Sequence, residues 1–412
     1  MNIAIFTDVF LEVPGGIPSS INAQKESLEK LGHKVTVFCP GFSSDDKNVI
    51  VVPTHKKIRA NGAPLAKAPE IVERWMMENF PMFSQFDLVH VHYEASCSLA
   101  GMRLARRFEI PLVQTMHGRE DMAIAMNVPH PFKTLAALAL NFLHSKYIPH
   151  KKVVRRDNKL APTVARAKMW TLMVNHANFA DQVITPSQHF ADKLKHYGVS
   201  KPIAVVSNGV ADEMVKDIDQ KVKKNGGTLI RNLKPGEPLR IFWNSRLSNE
   251  KRIMPFLEAL NMMHGSFIFS ACGDGNAFDA AQKYVKKHKL EKYVNLYGRV
   301  PHEQVLDKML KEHLSVTVSY GFDTQGLTLL EAEAVGMLVF FCDPDMKEVV
   351  PSDGAVIATG PSPKEMAEAL DDLINTPSRI EKMSKVMLKH RQEILQSTQI
   401  KKLLEVYDSV ID

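Results

Sequence analysis

No stretch of this chain runs through the roughly 18–20 apolar residues that a membrane-crossing helix needs, so no spanning helix is expected. Cysteine is sparse. Cys39, Cys97, Cys272 and Cys342 stand far apart, with no CxxC pair and no Cys/His cluster. They offer neither a disulfide framework nor a metal centre, and fit buried free thiols in a reducing compartment. The start, MNIAIFTDVF, lacks a basic leader and a cleavage site, so a cytosolic protein without a signal peptide is expected. No GxGxxG follows a strand-like run, which argues against a doubly wound dehydrogenase. There is no internal repeat and no low-complexity tract.

What is present suits a globular chain. The 412 residues are 45% apolar and 24% charged, too many for one ordinary core and enough for two domains. Net charge is only +6, so its distribution matters more than its sum.

Short β-branched runs alternate with helical patterns. NIAIFTD, KVTVFCP, NVIVVP, FDLVHVHY, PLVQTMHG, QVITPS and PIAVVSNG fill the first half; LRIFWNSR, SFIFSACGDG, YVNLYGRV, LSVTVSYGF, LVFFCDPD and AVIATG fill the second. Continuous apolar strands separated by crossover helices predict an α/β protein of two doubly wound, Rossmann-like parallel-sheet domains. The expected division is a first domain over 1–207, a charged, Gly/Pro-punctuated linker over 208–238, a second domain over 239–385, and C-terminal helices over 386–412 that cross back to the first. Ligands of open parallel sheets sit outside the carboxyl ends of the strands. Two such sheets facing one another place the expected site in a cleft between domains, lined by residues just after strands.

Those residues are informative. Gly15 and Gly16, in GGIPSS, follow the first strand and open a helix; they let backbone N–H groups approach an anion, or form an ordinary turn. Arg246 and Lys251, in NSRLSNEK, could hold a diphosphate beside a helix start, or be a solvated basic turn. Asp274 in GDGN and Arg299 in YGRV end strands where a base or sugar could come close. His117, in QTMHGRED, could hydrogen-bond a sugar hydroxyl or carry a proton, or be structural. Glu120 and Asp121 after it offer carboxylates on the acceptor side. His90 and His92 alternate with valines and read as core or strand-end residues. Finally GFDTQGLTLLEA holds Asp323 in a loop and Glu331 in a helix, with Gly326 and Leu327 at the helix start between them. A carboxylate accepts two hydrogen bonds from a vicinal diol. Glu331 could grip ribose, Asp323 a sugar beyond a diphosphate, and the helix N-terminus the phosphates between.

The combined order (GG after the first strand, H-G, R-x4-K, G-D-G, acid-x7-Glu) resembles the retaining glycosyltransferases of family 4 (GT4) with the GT-B fold, over nearly the whole chain. The resemblance implies that Gly16 donates near phosphate, Arg246 and Lys251 clamp the diphosphate, Glu331 holds ribose, and His117 and Asp323 face the donor sugar. Asp323 stands where the family usually has Glu, one methylene longer. DTQGLTLLEAEA and HGRED look like the bacterial diacylglycerol glucosyltransferases that make membrane glycolipids. The implied partners are a UDP-sugar, a lipid acceptor and an anionic membrane surface. No metal or other cofactor is implied, since the two cations take a metal's place.

Residues 133–168 bear on the acceptor. An apolar run precedes Lys146, Lys151, Lys152, Arg155, Arg156, Lys159, Arg166 and Lys168, against the single acid Asp157. This suits an anionic leaflet, at about 1 kcal/mol per basic residue near the surface. A core helix followed by a solvated basic loop is the plain alternative. Nucleic acid is disfavoured, because no aromatics interleave the cluster. The expected function is transfer of a hexose, glucose first, from a UDP-sugar to a lipid, diacylglycerol first, on the cytoplasmic face of the membrane. A soluble transferase acting on a polysaccharide, protein or wall polymer, and a non-catalytic nucleotide-sugar-binding subunit, are the alternatives.

Overall fold

Every apolar run quoted above is a strand. The computed structural model describes residues 1–13, 15–60 and 63–411, and falls into two units: Met1–Gly209 with the returning segment from Gln396 on, and Val210–Leu395.

The first unit holds β1 (Asn2–Phe6), β2 (Lys34–Cys39), β3 (Val49–Val51), β4 (Thr54–Ala60), β5 (Ala63–Ala66), β6 (Leu88–Val91), β7 (Leu112–Thr115), β8 (Gln182–Thr185) and β9 (Ile203–Val205). Seven form one parallel sheet in the order β3-β2-β1-β6-β7-β8-β9, while β4 and β5 make a separate antiparallel pair. Strand order reverses between β1 and β6, in register Phe6 to Val91. A reversal point leaves a crevice at the carboxyl edge, where sheets of this kind take ligands.

The second unit holds β10 (Leu239–Asn244), β11 (Phe267–Cys272), β12 (Val294–Gly298), β13 (Leu314–Thr317), β14 (Leu338–Phe341) and β15 (Ala355–Ile357), in the order β12-β11-β10-β13-β14-β15. Its reversal point lies between β10 and β13. Both sheet faces are covered, and alternate residues of one strand feed opposite cores. Leu239, Ile241 and Trp243 join Leu338 and Phe340 on one face; Phe242 joins Val339 and Phe341 on the other.

Two boundaries differ from expectation. Within the stretch expected as a linker, Asp212–Lys224 is a helix of the second unit, with Val215 and Ile218 buried and Val222 packed beside them. Its narrow apolar stripe was hidden among charges. At the other end, Ser378–His390 stays in the second unit, burying Ile380, Met383 and Met387. Gln396–Ile411 belongs to the first, where Ile400, Leu403 and Tyr407 pack with Ile3, Ile5 and Val113. Among the described residues, no helix is long and apolar enough to cross a membrane.

Candidate functional site

In the second unit, the loops after β10 and β13 meet at the reversal point. Asn244 ends β10, and its amide donates to Glu331 Oε2 at 3.0 Å. Glu331 sits one turn into the helix Leu327–Ala334. Gly326 caps that helix at φ 78°, a left-handed conformation that favours glycine, and no side chain of the cap residue takes up the first amides of the helix. Lys251 Nζ lies 2.5 Å from Asp323 Oδ1, and 5.5 Å from the Phe322 ring centre. Asp323 Oδ2 is buried without a hydrogen-bond partner. Arg246 donates to Glu250 Oε1 at 2.9 Å, where the Ser248 hydroxyl also donates, at 2.6 Å. Glu250 is buried, so it anchors the loop, while the Arg246 side chain is 63% exposed and keeps donors for a ligand.

Residues that sequence reasoning passed over hold these loops. Arg252, left-handed at φ 61°, donates to the carbonyls of Val318 and Pro361 at 3.0 and 2.5 Å. It ties Lys251 to the loop that carries Asp323. Asp343 accepts from the Gly321 amide at 2.6 Å and braces the same loop. Gly273 and Gly275, at φ 151° and 158°, pass so close to the β10 loop that a Cβ on either would lie 2.0 Å from Ser245 O or 2.4 Å from Leu247 O. Asp274 between them is exposed, turning its carboxylate onto the Gly275 amide at 2.7 Å. Arg299 is exposed just past β12. Among the described residues no cluster of three His, Cys, Asp or Glu is arranged to hold a metal ion.

In the first unit, Gly15 and Gly16 are exposed at the start of the helix Gly16–Lys30. A Cβ at Gly15 would meet only Pro18, at an ordinary 3.5 Å, so the chain's own packing does not demand glycine there. Asp8, after β1, accepts from the amides of Ala95, Cys97 and Ser98 and caps the helix Ser96–Arg107. His117 Nε2 stands 2.8 Å from His92 Nδ1. Burial pushes His117 down to about 4, so its ring is neutral near pH 7. Glu94, after β6, is 7% exposed with Oε1 unpartnered. Burial, then the charges of Glu120 and Asp8, push its carboxyl well up. Burial and the neighbouring Asp121 push Glu120 up to about 7.

The two carboxylates expected on the acceptor side part company. Asp121 is fully buried and accepts from Arg119 at 2.7 and 3.0 Å and from Arg166 at 2.7 and 2.8 Å. It joins its own helix to Val164–Phe179, and its oxygens are spent there. Arg166, counted in the basic cluster from sequence, is thereby turned inward.

The helix Lys133–Ser145 buries Ala137, Asn141 and His144 against that same neighbour, where Asn141 donates to Lys168 O and His144 meets His176 at 2.8 Å. Its other side is apolar and open: Phe132 just before it, then Leu135, Leu138, Leu140, Phe142 and Leu143, are between 37% and 66% exposed. Lys146, Lys151, Lys152, Arg155, Arg156 and Lys159 follow, all exposed. The irregular backbone that carries them is pinned. Asn175 exchanges bonds with Lys152 at 2.7 and 2.9 Å, Thr171 accepts from the Val154 amide, and Asp157 caps the amides of Lys159, Leu160 and Ala161.

Comparison with known proteins fits this geometry. The profile of the family described as Glycosyltransferase Family 4 matches residues 14–213, and that of Glycosyl transferases group 1 matches residues 229–390. The chain is similar to the alpha-monoglucosyldiacylglycerol synthase of Acholeplasma laidlawii, 24% identical over 86% of this chain and 83% of the relative. It is also similar to the phosphatidylinositol N-acetylglucosaminyltransferase GPI3 subunit of Saccharomyces cerevisiae (strain RM11-1a), 24% identical over 91% of this chain and 75% of the relative. The crystal structure of Anabaena Alr3699/HepE in complex with UDP-glucose superposes with a TM-score of 0.66 at 16% identity, over 99% of both chains. The likeness extends through both parallel-sheet units and shows the GT-B fold.

Proposed function

The chain belongs to the glycosyltransferases of family 4, and we propose that within that family it moves glucose from UDP-glucose to 1,2-diacylglycerol at an anionic membrane surface. The observation that carries the lipid reading is the open apolar face of Lys133–Ser145 running into a pinned row of six exposed cations. An interfacial helix of that kind buries its apolar face among acyl chains while the cations meet anionic headgroups. The first named relative makes, by its name, alpha-monoglucosyldiacylglycerol. The protein is a peripheral enzyme of the inner face of the membrane in this reading.

The second unit takes the UDP-sugar. Glu331 accepts the ribose hydroxyls, the helix start at Gly326 and Leu327 faces phosphate, and Arg246 and Lys251 neutralise the leaving diphosphate without a metal. An ammonium has three protons, so Lys251 can hold Asp323 and a phosphate oxygen together. Asp323 turns its second oxygen to the sugar. Asp274 and Arg299 border the base. In the first unit, Gly16 offers a backbone N–H and His117 a ring nitrogen to substrate. The diphosphate takes the acceptor proton as the glycosidic bond re-forms on the same face.

The test is direct. Purified protein is given UDP-glucose, UDP-galactose or UDP-N-acetylglucosamine with vesicles holding diacylglycerol or phosphatidylinositol, and products are identified by mass spectrometry and anomeric coupling. An α-glucosyl diacylglycerol is the expected product. The yeast relative favours a second reading, N-acetylglucosamine on phosphatidylinositol, which the same panel would reveal. Transfer only to soluble acceptors would remove the lipid reading.

A further inference from the structure

Three histidines, two of which read from the sequence as core or strand-end residues, form one hydrogen-bonded row in the first unit. His117 Nε2 lies 2.8 Å from His92 Nδ1, and His92 Nε2 lies 3.1 Å from His90 Nδ1. His90 Nδ1 also meets the Tyr407 hydroxyl at 2.7 Å, and His90 Nε2 meets the Thr115 hydroxyl at 2.7 Å. His90, His92 and Tyr407 are wholly buried. The row thus runs from the carboxyl edge of the sheet, through β6 and its neighbour β7, to the helix Gln396–Ile411.

Counting protons fixes its direction. A neutral imidazole has one N–H and one lone pair. The Tyr407 phenol donates its hydrogen to His90 Nδ1, so that nitrogen holds the lone pair and faces a proton on His92 Nε2. His90 then donates from Nε2 to Thr115. His92, donating from Nε2, has its lone pair at Nδ1 and accepts from His117 Nε2–H. The opposite arrangement puts a proton on His90 Nδ1 and leaves the phenol hydrogen without an acceptor in the row, and a buried donor left unmade is costly. Burial favours the uncharged form of all three rings, which agrees.

We propose that His92, backed by His90 and Tyr407, is a positioning residue that holds the His117 ring in one orientation and one tautomer, with its proton on Nε2. The geometry stands by itself; its purpose rests on the transferase reading above. A neutral ring held in this way adds no positive charge beside a sugar carbon that becomes cationic in transfer. It also meets substrate without first having to reorient.

The experiment has two arms. In the first, protein labelled with ¹⁵N-histidine is observed at pH 7 without substrate, as wild type, His92→Asn, His92→Phe and Tyr407→Phe, with His117→Gln to assign the signal. The expected result is a single Nε2–H tautomer for His117 in the wild type. It is retained in His92→Asn, whose amide oxygen can stand near the lost Nδ1, and becomes a mixture in His92→Phe and, to a smaller degree, in Tyr407→Phe. An Nδ1–H ring in the wild type, or an unchanged single tautomer in His92→Phe, overturns the row. If His92→Phe does not fold, Tyr407→Phe, which removes one hydroxyl, carries the comparison. In the second arm, turnover of His92→Phe should fall about 100-fold, with UDP affinity unchanged and most of the loss recovered in His92→Asn. Full turnover in His92→Phe overturns the positioning role. A wild type that transfers no sugar defeats the transferase reading, while the first arm still decides the row.

Discussion

Lys251 and Asp323, 72 positions apart in the chain, are joined at 2.5 Å across the loops of two adjacent strands, with side chains 19% and 10% exposed. The pair fixes the spacing of a cation and an acid where strand order reverses, and it leaves one Asp323 oxygen buried without a partner.

Lys251→Ala and Arg246→Ala should each cut turnover by roughly 2–4 kcal/mol of lost charge stabilisation. They should differ in stability. Arg246 is mostly exposed, so its loss should leave urea unfolding nearly unchanged. Loss of Lys251 strands a buried carboxylate, at roughly 1–3 kcal/mol, and adding Asp323→Ala should restore part of it. Equal stability of the two single variants would show that the ion pair is not a structural element.

Glu331→Ala should weaken UDP and UDP-sugar alike in calorimetry, because ribose is common to both. Asn244→Ala should weaken them in the same proportion but less, since it only aims the carboxylate. Asp323→Ala should leave UDP affinity intact and harm transfer. The reverse pattern would exchange the parts given to the two acids.

Gly273→Ala places a methyl 2.0 Å from a backbone oxygen that has nowhere to go. A loss of about 2 kcal/mol or more is expected. It should appear as a fall in Tm of several degrees. An unshifted melting curve would mean that the β10 loop yields easily and is a poor platform for a diphosphate.

Changing Lys151, Lys152, Arg155 and Arg156 to Ser should lower co-sedimentation with anionic vesicles and leave neutral vesicles little affected. Leu135→Ser with Phe142→Ser should lower both. Attraction between charges is screened within about 10 Å at 0.1 M salt, so only the loss caused by the first set should shrink as salt rises. A wild type that ignores anionic vesicles at low salt would return the exposed helix to some other use.

Burial, then the charge of Glu393, raise the Glu333 carboxyl to about 8 from an ordinary 4.5. Folded chains therefore keep a proton that unfolded chains release. The stability this group confers is full below about 4.5 and is lost as pH climbs through about 8. Glu333→Gln carries no such proton. Its Tm relative to wild type should rise steadily from pH 5 to pH 8, and a flat difference would place the carboxylate in solvent.

The strands of the two parallel sheets were legible because sheets covered on both faces leave apolar runs that composition cannot hide, whereas the antiparallel pair β4 and β5 has no such run. The pairing of Lys251 with Asp323 was not, because it depends on strand order, and the sequence does not state that β13 lies against β10. His90 and His92 carried a faint signal: two positions apart, they share one face of β6, one strand from the segment that ends in His117. Asp121 misled because adjacent acids look alike in sequence, and only the helix packing sets one of them onto two arginines. The helix Asp212–Lys224 was lost among lysines and aspartates that lie on its outer side.

The return of Gln396–Ile411 to the first unit sets an order of assembly on the ribosome. Residues Val210–Leu395 are contiguous, so that unit can close once they emerge. The first unit is made earlier but must wait, its groove for Ile400, Leu403 and Tyr407 unfilled, until those residues have followed the second unit out of the ribosome. During that interval its apolar floor is exposed to chaperones and to neighbouring nascent chains, and a stop codon after residue 395 would make the wait permanent.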